Sequence, residues 1–331
     1  MKAIVLEGID IPLAYKEVDK PTLNPGEALV KVKAAALNRR DYNITVGKLP
    51  GVKAPAILGA DGSGIVIEVG SDVDKHWLDK EVIINPGMEW GDNPDFQSDN
   101  FKVLGLPNDG TFAEYVKVGS EYLHPKPVHL DWQQAAAIPL AALTTYRALF
   151  SKGNAKKGEK VLITGVGGGT GVFALQLAVA AGCQVFVTSG SDDKIEKAKC
   201  LGAIDGVNYK AQDWAEQLGQ LAGGFDVIID SALGDGFPKL LDLCNPGGRV
   251  VIFGGTVGNI PEITGRKIFW NQKQILGSMM GNPDDFKAML ALVNEHQIVP
   301  VIDEVFPLSK ANDAIKKMAN SAQFGKIVLV V

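Results

Sequence analysis

Short apolar runs separated by turn residues dominate the first third of the chain. Such runs occur at Ala28–Val32, Gly64–Val69, Glu81–Ile84 and Phe112–Val118, and turn-rich segments such as Asn24–Gly26 lie between them. Apolar runs of roughly four to eight residues bounded by Pro and Gly are typical of β-strands. The pattern therefore predicts a β-rich, barrel-like domain in this part of the chain.

The pattern changes near residue 130. Small and apolar residues at helical spacing from Trp132 to Phe150 predict a helix on each side of Pro139. Beyond Lys160, short β-branched runs alternate with helical stretches. The predicted strands are Val161–Thr164, Gln184–Thr188, Val207–Asn208, Asp226–Ile229 and Arg249–Phe253. Alternation of apolar strands with helices indicates a parallel sheet that is covered on both faces.

The last part of the chain predicts another strand at Gln274–Gly277, two helices and a final apolar strand at Lys326–Val331. A strand so apolar must be covered, and we expect it to return to the first domain. We therefore predict an α/β protein of two domains. Residues 1–125 with 265–331 form the β-rich domain, and residues 126–264 form the parallel-sheet domain.

Composition narrows the class of protein. The 331 residues are 46% hydrophobic and 21% charged, which excludes a disordered chain. The chain has 33 basic and 38 acidic residues, so its net charge is negative and a nucleic-acid partner is not expected. Glu7 and Asp10 interrupt the apolar start, and no apolar stretch is long enough to span a membrane. With three cysteines that form no CxxC pair, these features predict a cytoplasmic protein without a disulfide framework.

A glycine-rich loop carries the clearest chemical signal. Five glycines lie within Gly165–Gly171, between the predicted strand Val161–Thr164 and an apolar helix. Glycine permits the tight turn, the close approach of backbone N–H groups to phosphate, and the packing of helix on strand. The helix N-terminus adds unpaired N–H donors. Because strand, loop, helix and a second strand occur in that order, the segment predicts a dinucleotide-binding site.

The end of the second strand bears on the choice between the two nicotinamide cofactors. A carboxylate there would bind the ribose 2′-OH and repel a 2′-phosphate. The residues Thr188–Ser191 supply hydroxyl groups and Lys194 supplies a positive charge, which suits NADPH. Asp192, if it turned to the ribose, would favour NADH instead, and Ser191 or Asp192 would otherwise cap the next helix.

The order of these parts resembles the medium-chain dehydrogenase/reductase superfamily. The motifs that carry the resemblance span nearly the whole chain: Leu58–Gly70, Asp109–Val116, Ala142–Leu149, Cys244–Val250 and Phe324–Leu329. The chain is most similar to the quinone oxidoreductase-like branch. This resemblance implies a GroES-like domain for the β-rich part and a Rossmann domain for the parallel sheet.

Comparison with the zinc-containing alcohol dehydrogenases of that superfamily implies that the metal is absent. At the positions matching their catalytic zinc ligands the chain has Asn38, Ala60-Asp61 and Leu140, and Ala and Leu carry no donor atom. The region Gly87–Leu106, where their structural zinc would lie, contains no Cys. We therefore expect no zinc.

A reaction without a metal favours acceptors that delocalise their own charge. Hydride transfer to a quinone or an α,β-unsaturated carbonyl gives a hydroquinone anion or an enolate, which hydrogen-bond donors can stabilise. By resemblance Asn38 contacts cofactor or substrate, and Tyr42 is a candidate proton donor or a half-buried packing residue. Trp90 and Phe96, in the predicted surface loop Met88–Asn100, either line the acceptor pocket or pack that loop.

Resemblance also implies the cofactor contacts. The positions are Asn38, Thr144, Gly168, Gly169, Thr170 and Gly171, then Ser189, Lys194 and Tyr209 around the 2′-phosphate, then Phe253, Gly254, Gly255, Met279 and Met280 towards the nicotinamide side. Lys326 is expected to reach either the cofactor or the substrate. For Met279 and Met280 core packing is the other interpretation.

A homodimer is expected from the family, through a sheet-edge strand near Val257–Ile263. The sequence thus predicts an NADPH-dependent, zinc-independent reductase of quinones or enones. The alternatives are an alcohol dehydrogenase with atypical zinc ligands and a cofactor-binding protein without catalytic activity.

Overall fold

The computed structural model describes all 331 residues, which divide into two compact units. The first unit contains Met1–Ala141 and Asn282–Val331, and the second contains Ala142–Gly281. Each unit has its own apolar core. None of the helices combines the length and the hydrophobicity that crossing a bilayer requires.

The elements follow one another along the chain as strands and helices with these bounds. The strands are β1 (Lys2–Leu6), β2 (Ala14–Glu17), β3 (Glu27–Ala36), β4 (Ala56–Ile57), β5 (Asp61–Val69), β6 (Glu81–Ile84), β7 (Gly87–Met88), β8 (Lys102–Val103), β9 (Tyr115–Gly119), β10 (Leu123–Pro125), β11 (Lys160–Ile163), β12 (Gln184–Ser189), β13 (Asp205–Asn208), β14 (Phe225–Asp230), β15 (Cys244–Ile252), β16 (Gln274–Gly277), β17 (Ile302–Pro307) and β18 (Lys326–Val330). The α-helices are α1 (Arg39–Thr45), α2 (Trp132–Ala137), α3 (Pro139–Tyr146), α4 (Gly169–Ala180), α5 (Asp192–Cys200), α6 (Trp214–Ala222), α7 (Phe237–Leu243), α8 (Arg266–Phe269), α9 (Pro283–Glu295) and α10 (Ala311–Ala319).

The first unit is built around a mainly antiparallel sheet in the order β10-β6-β5-β3-β18-β17, with β9 also paired to β3. A three-stranded sheet, β2-β1-β4, and the pair β7-β8 complete its strands. The C-terminal strand β18 pairs antiparallel with β3, with Val328 opposite Ala36. The prediction that the last strand returns to the β-rich part is therefore confirmed.

Strand β3 is buried on both faces, which explains its almost continuous apolar sequence. One set of its side chains enters the main core, and Ala34 and Ala36 on the other face pack against Ala136 and Ala137 of α2. Small side chains at these positions allow the helix to approach the strand closely. This packing places Leu37 and Asn38, which follow β3, at one edge of the sheet.

The second unit contains one parallel six-stranded sheet in the order β13-β12-β11-β14-β15-β16. Every neighbouring pair is parallel, and each strand overlaps a predicted apolar run, although β15 begins five residues earlier than expected, at Cys244. The order reverses at β11, between β12 and β14, which is where doubly wound sheets bind nucleotides at the carboxyl ends of their strands. The predicted GroES-like and Rossmann parts are confirmed.

The observed boundaries differ from those expected from the sequence. Residues 126–141 lie in the first unit because α2 packs on β3 and β5, and residues 265–281 lie in the second because β16 pairs with β15. The segment Val257–Ile263 forms no strand. The edge strand beyond β15 is instead β16, and β13 forms the other edge.

Candidate functional site

The glycine loop connects β11 to α4 and leaves space for a ligand. Gly168 is the N-cap of α4 and has an extended backbone, and a Cβ placed on it would meet no atom within 4 Å. Gly165 has φ +65°, a conformation that favours glycine, and a Cβ there would also meet no atom within 4 Å. The 12-residue helix α4 begins at Gly169 with its first N–H groups unpaired within the helix. This cradle fits a pyrophosphate.

Two further features hold the loop in place. A Cβ on Gly171 would lie 3.2 Å from the Cα of Val166, so glycine permits close packing of α4 against the loop. The end of β12 supports the other side, because the N–H of Gly165 donates to the Thr188 hydroxyl at 3.0 Å and the N–H of Val166 donates to the Thr188 carbonyl at 2.7 Å. The predicted roles of the glycines in turn and packing agree with this geometry.

The residues expected around the 2′-phosphate occupy different environments. Ser189 is buried and donates its hydroxyl proton to the Val166 carbonyl at 2.9 Å, so that proton is not available to a phosphate. The Lys194 side chain lies over the glycine loop, since a Cβ on Gly167 would be 3.3 Å from its Nζ. Tyr209 is half exposed, with its hydroxyl beside Gly190.

Asp192, the residue that would favour NADH, is exposed at the start of α5. One of its carboxylate oxygens accepts a hydrogen bond from the Asn208 amide at 2.9 Å. Asp192 and Lys194 therefore both belong to the segment that follows β12, and the structure favours neither cofactor over the other.

Thr144 and Met280, both predicted to contact cofactor, lie together in the second unit. The Thr144 hydroxyl donates to the Met280 sulfur at 3.7 Å, and both side chains are buried. Met279 is half exposed. Phe253 follows β15, and its N–H donates to the Asp230 carbonyl at 3.2 Å. Packing and cofactor contact are compatible for Met280, and Met279 has surface available for a ligand.

The loops after β14 and β15 meet at Gly254 and Gly255. A Cβ on Gly254 would lie 3.1 Å from the Ser231 carbonyl, and one on Gly255 would lie 3.1 Å from Leu233 Cδ1. Leu233 has φ +58° and ψ −138°, a strained conformation for a residue with a Cβ. The Asp230 carboxylate, buried at the end of β14, holds it by accepting its N–H at 2.9 Å.

A buried polar cluster forms in the first unit from Asn38, Asp61 and Lys326. The Lys326 ammonium donates to Asn38 Oδ1 at 2.7 Å and to Asp61 Oδ2 at 2.8 Å. The Asn38 amide donates to the same Asp61 oxygen at 2.9 Å. The remaining oxygen, Asp61 Oδ1, accepts the N–H of Leu140 at 2.8 Å. All three side chains are at least 93% buried, so their charges compensate one another within the protein.

Asp41 anchors the backbone of this cluster. Its Oδ2 accepts the N–H of Asn38 at 2.7 Å, and its Oδ1 has no hydrogen-bond partner. Burial raises the pKa of the Asp41 carboxyl to about 6, and the neighbouring Arg40 guanidinium partly opposes that rise.

The aromatic candidates separate into buried and exposed groups. Tyr42 is half buried against the core of the first unit, with the Arg39 guanidinium 5.8 Å from its ring centre. Trp90 is buried, donates its indole N–H to the Asn93 carbonyl at 2.9 Å and contacts Phe101 edge-on, so it packs its own loop. Phe96, in the same loop, is largely exposed.

The side chains at the positions that match zinc ligands do not fit a zinc ion. Ala60 and Leu140 carry no donor atom, and both oxygens of Asp61 are already engaged by N–H donors. The Lys326 ammonium donates to both Asn38 and Asp61, and a cation there would repel a metal ion. No group of three His, Cys, Asp or Glu side chains is arranged to hold a metal anywhere in the chain.

The pairing of Asp61 with Lys326 escaped the sequence interpretation, which treated Asp61 only as part of a missing ligand set. Asp61 and Lys326 each stand in an apolar motif, where a charge needs a partner, but nothing in the sequence pairs the two. Nothing in the sequence indicates the Asp230–Leu233 contact, because it depends on how two loops fold back at the sheet edge.

Comparison with known proteins identifies the parts of the chain. Residues 24–128 match the alcohol dehydrogenase GroES-like domain, and residues 169–295 match the zinc-binding dehydrogenase domain. A zinc-type alcohol dehydrogenase-like protein of Leptosphaeria maculans, YogA, is 34% identical over 97% of this chain and 95% of its own length.

Two solved structures are similar over the whole chain. The crystal structure of an NAD-dependent alcohol dehydrogenase has a TM-score of 0.94 and 35% identity, and each chain covers 100% of the other. The crotonyl-CoA carboxylase/reductase AntE in complex with NADP has a TM-score of 0.91 and 25% identity, covering 100% of this chain and 94% of that one. With the strand order, the glycine loop and both domain matches, these similarities show that the chain is an oxidoreductase of the medium-chain dehydrogenase/reductase superfamily.

Proposed function

We propose that this protein is an NADPH-dependent reductase that transfers hydride to a quinone or an α,β-unsaturated carbonyl without a metal ion. The observation that carries the proposal is the Asn38–Asp61–Lys326 cluster. It places an ion pair and an amide at the positions where zinc enzymes of this superfamily carry ligands. Because the side chains at these positions bond to one another, they do not supply ligands for a metal ion. The protein therefore needs a hydride acceptor whose reduction does not require a Lewis acid.

The chemistry of the acceptor follows from where negative charge develops. Reduction of a simple ketone concentrates charge on one oxygen, which a metal ion stabilises by several kcal/mol. When a conjugated enone accepts hydride at its β-carbon, a C–H bond forms there and the π electrons move to the carbonyl oxygen. The resulting charge is spread over the enolate, so hydrogen-bond donors and good positioning suffice. A proton then completes the saturated product.

The residues of the second unit would hold the cofactor. The N–H groups at the start of α4 and the open space at Gly168 suit the pyrophosphate, and Thr144 with Met280 and the Phe253–Gly255 segment suit the nicotinamide side. When bound, NADPH supplies the hydride. In the first unit we assign Asn38 as a donor to the acceptor and keep Tyr42 as the candidate proton donor.

The preference for NADPH rests on Lys194 and Tyr209. The Lys194 side chain lies beside Gly167 of the glycine loop, and the Tyr209 hydroxyl lies beside Gly190, directly after β12. A 2′-phosphate is expected near the end of this strand, and AntE was solved with NADP. Asp192 and the similarity to an NAD-dependent alcohol dehydrogenase support NADH as the other choice. Fluorescence titration of NADPH and NADH decides between them, and Lys194→Ala should weaken NADPH binding more than NADH binding.

The activity is tested with purified protein, NADPH and a panel of 1,4-quinones and enones, following absorbance at 340 nm in the presence and absence of a chelator. We expect turnover that the chelator does not change. Loss of activity on chelation, or no turnover on any conjugated acceptor, would contradict the proposal.

Alcohol oxidation is the second candidate, because YogA is named a zinc-type alcohol dehydrogenase-like protein. It predicts NAD⁺- or NADP⁺-dependent oxidation of simple alcohols that requires zinc. Elemental analysis of the purified protein distinguishes the two candidates. One zinc per chain, together with faster turnover of alcohols than of enones, would favour this function.

A homodimer is our proposal for the assembly. Strand β16 is hydrogen-bonded only to β15 and leaves its other edge open, and the nearby Phe269 and Trp270 are each about two-thirds exposed. An open edge with exposed aromatic residues is covered when two copies pair. Size-exclusion chromatography with light scattering should show a dimer at micromolar concentration, and Trp270→Lys should convert it to a monomer.

A further inference from the structure

The side-chain amide of Asn38 lies between two groups that permit only one orientation. Lys326, as an ammonium, can only donate hydrogen bonds, and Asp61, as a carboxylate, can only accept them. The amide oxygen must therefore face Lys326, at 2.7 Å, and the amide nitrogen must face Asp61, at 2.9 Å. Reversing the amide would place N–H against ammonium and oxygen against carboxylate, which is unfavourable on both sides.

The backbone of Asn38 is held independently of this side-chain orientation. Its N–H donates to Asp41 Oδ2 at 2.7 Å, and the preceding Leu37 donates its N–H to the Ile327 carbonyl at 2.9 Å. The peptide before α1 is thus tied both to the helix and to β18. The main freedom left to Asn38 is the orientation of its side-chain amide, that is, whether the oxygen or the nitrogen faces Lys326. Lys326 and Asp61 determine this orientation.

One donor of the amide remains unused. A primary amide has two N–H groups, and only one of them bonds to Asp61; no group of the protein accepts the other. The cation on the amide oxygen draws electron density from the nitrogen and so strengthens its N–H as a donor. Because the cluster is buried, water screens this polarisation weakly.

We propose that Lys326 and Asp61 are positioning residues that hold Asn38 as a polarised N–H donor to the carbonyl oxygen of the acceptor. The proposal rests on the function proposed above and specifies how charge on that oxygen is stabilised. If Asn38 could turn over, its own carbonyl oxygen would face the developing negative charge and oppose the reaction. The ion pair therefore acts on the substrate through the amide.

The test replaces both charges together, because removing Lys326 alone would leave the Asp61 carboxylate buried without compensation. In the double variant Asp61→Asn/Lys326→Met, residue 61 keeps an acceptor for the Leu140 N–H and offers Asn38 a donor, so the reversed amide becomes possible. The matched control is Glu27→Gln/Lys117→Met, which neutralises an ion pair of 3.0 Å in the same sheet.

We expect kcat for an enone to fall about 10- to 100-fold in the double variant, with the Kd for NADPH changed less than about twofold. The control pair should keep both values. In an Asn38→Ala background the same double substitution should have no further effect on kcat, because the donor it positions is absent. Two results would overturn the proposal: a raised Kd for NADPH with unchanged kcat, or an equal fall of kcat in the Asn38→Ala background. Either result would mean that Lys326 contacts the cofactor or the substrate directly.

A second measurement does not depend on turnover. In protein labelled with ¹⁵N at asparagine, the Asn38 side-chain resonances are assigned from their absence in Asn38→Ala. We expect two sharp resonances that exchange slowly with each other, and expect them to shift and broaden in the double variant. Resonances that are the same in both proteins would refute the positioning role. If the wild-type protein reduces no enone while the resonances behave as expected, the proposed function fails and the fixed orientation of Asn38 stands.

Discussion

The ionisation of Asp41 gives the sharpest prediction about stability. Its carboxyl is fully buried, and burial raises the pKa from 3.8 to about 6. In the unfolded chain the same group ionises near its ordinary pKa. Between about pH 4 and pH 6 the native protein therefore binds one more proton than the unfolded chain, and its stability falls as the pH rises.

The size of the effect follows from the shift. A difference of about two pKa units corresponds to about 3 kcal/mol, which is the cost of the buried charge once the pH is above 6. Asp41→Asn removes that charge and keeps an oxygen that can accept the Asn38 N–H. The gain in stability of the variant over wild type should therefore grow by about 2 kcal/mol between pH 4.5 and pH 7.5.

Urea unfolding of both proteins across this pH range measures the difference directly, because every other titrating group is common to the two. The variant should show a flatter dependence of the unfolding free energy on pH. A difference between the two proteins that stays constant from pH 4.5 to pH 7.5 would refute the argument that Asp41 carries the shifted pKa.

Three further results are expected. Gly168→Ala should weaken NADPH binding at least about tenfold, since its Cβ would enter the space proposed for the pyrophosphate. The melting temperature should not change, because that Cβ meets no atom of the protein. Gly26→Ala, whose Cβ also meets no atom, should change neither NADPH binding nor the melting temperature. Phe225→Ala should cost about 3–5 kcal/mol in urea unfolding, and Phe269→Ala, at an exposed position, less than about 0.5. Iodoacetamide at neutral pH, followed by mass spectrometry, should modify the exposed Cys200 before the other two thiols, whose pKa burial raises to about 11.

The parallel sheet was predictable because its strands are buried on both faces. Continuous apolar runs such as Val161–Thr164 need no knowledge of their neighbours to be recognised, and the glycine spacing at Gly165–Gly171 marks the loop between strand and helix. The edge strand was harder to locate. Val257–Ile263 contains apolar residues but forms no strand. Gln274–Gly277 pairs with β15 instead and takes the edge position.

The amino-acid order alone determined the superfamily architecture, the dinucleotide loop and the absence of donor atoms at two of the zinc-ligand positions, Ala60 and Leu140. Each of these depends on the identity of residues close together in the chain. Tertiary structure decided the rest. It brought Lys326 to Asp61 across 265 positions of sequence and turned the Ser189 hydroxyl away from solvent. It also buried the Asp41 carboxylate away from water. Charge pairing and desolvation depend on distances that only the folded chain defines, so no local pattern could report them.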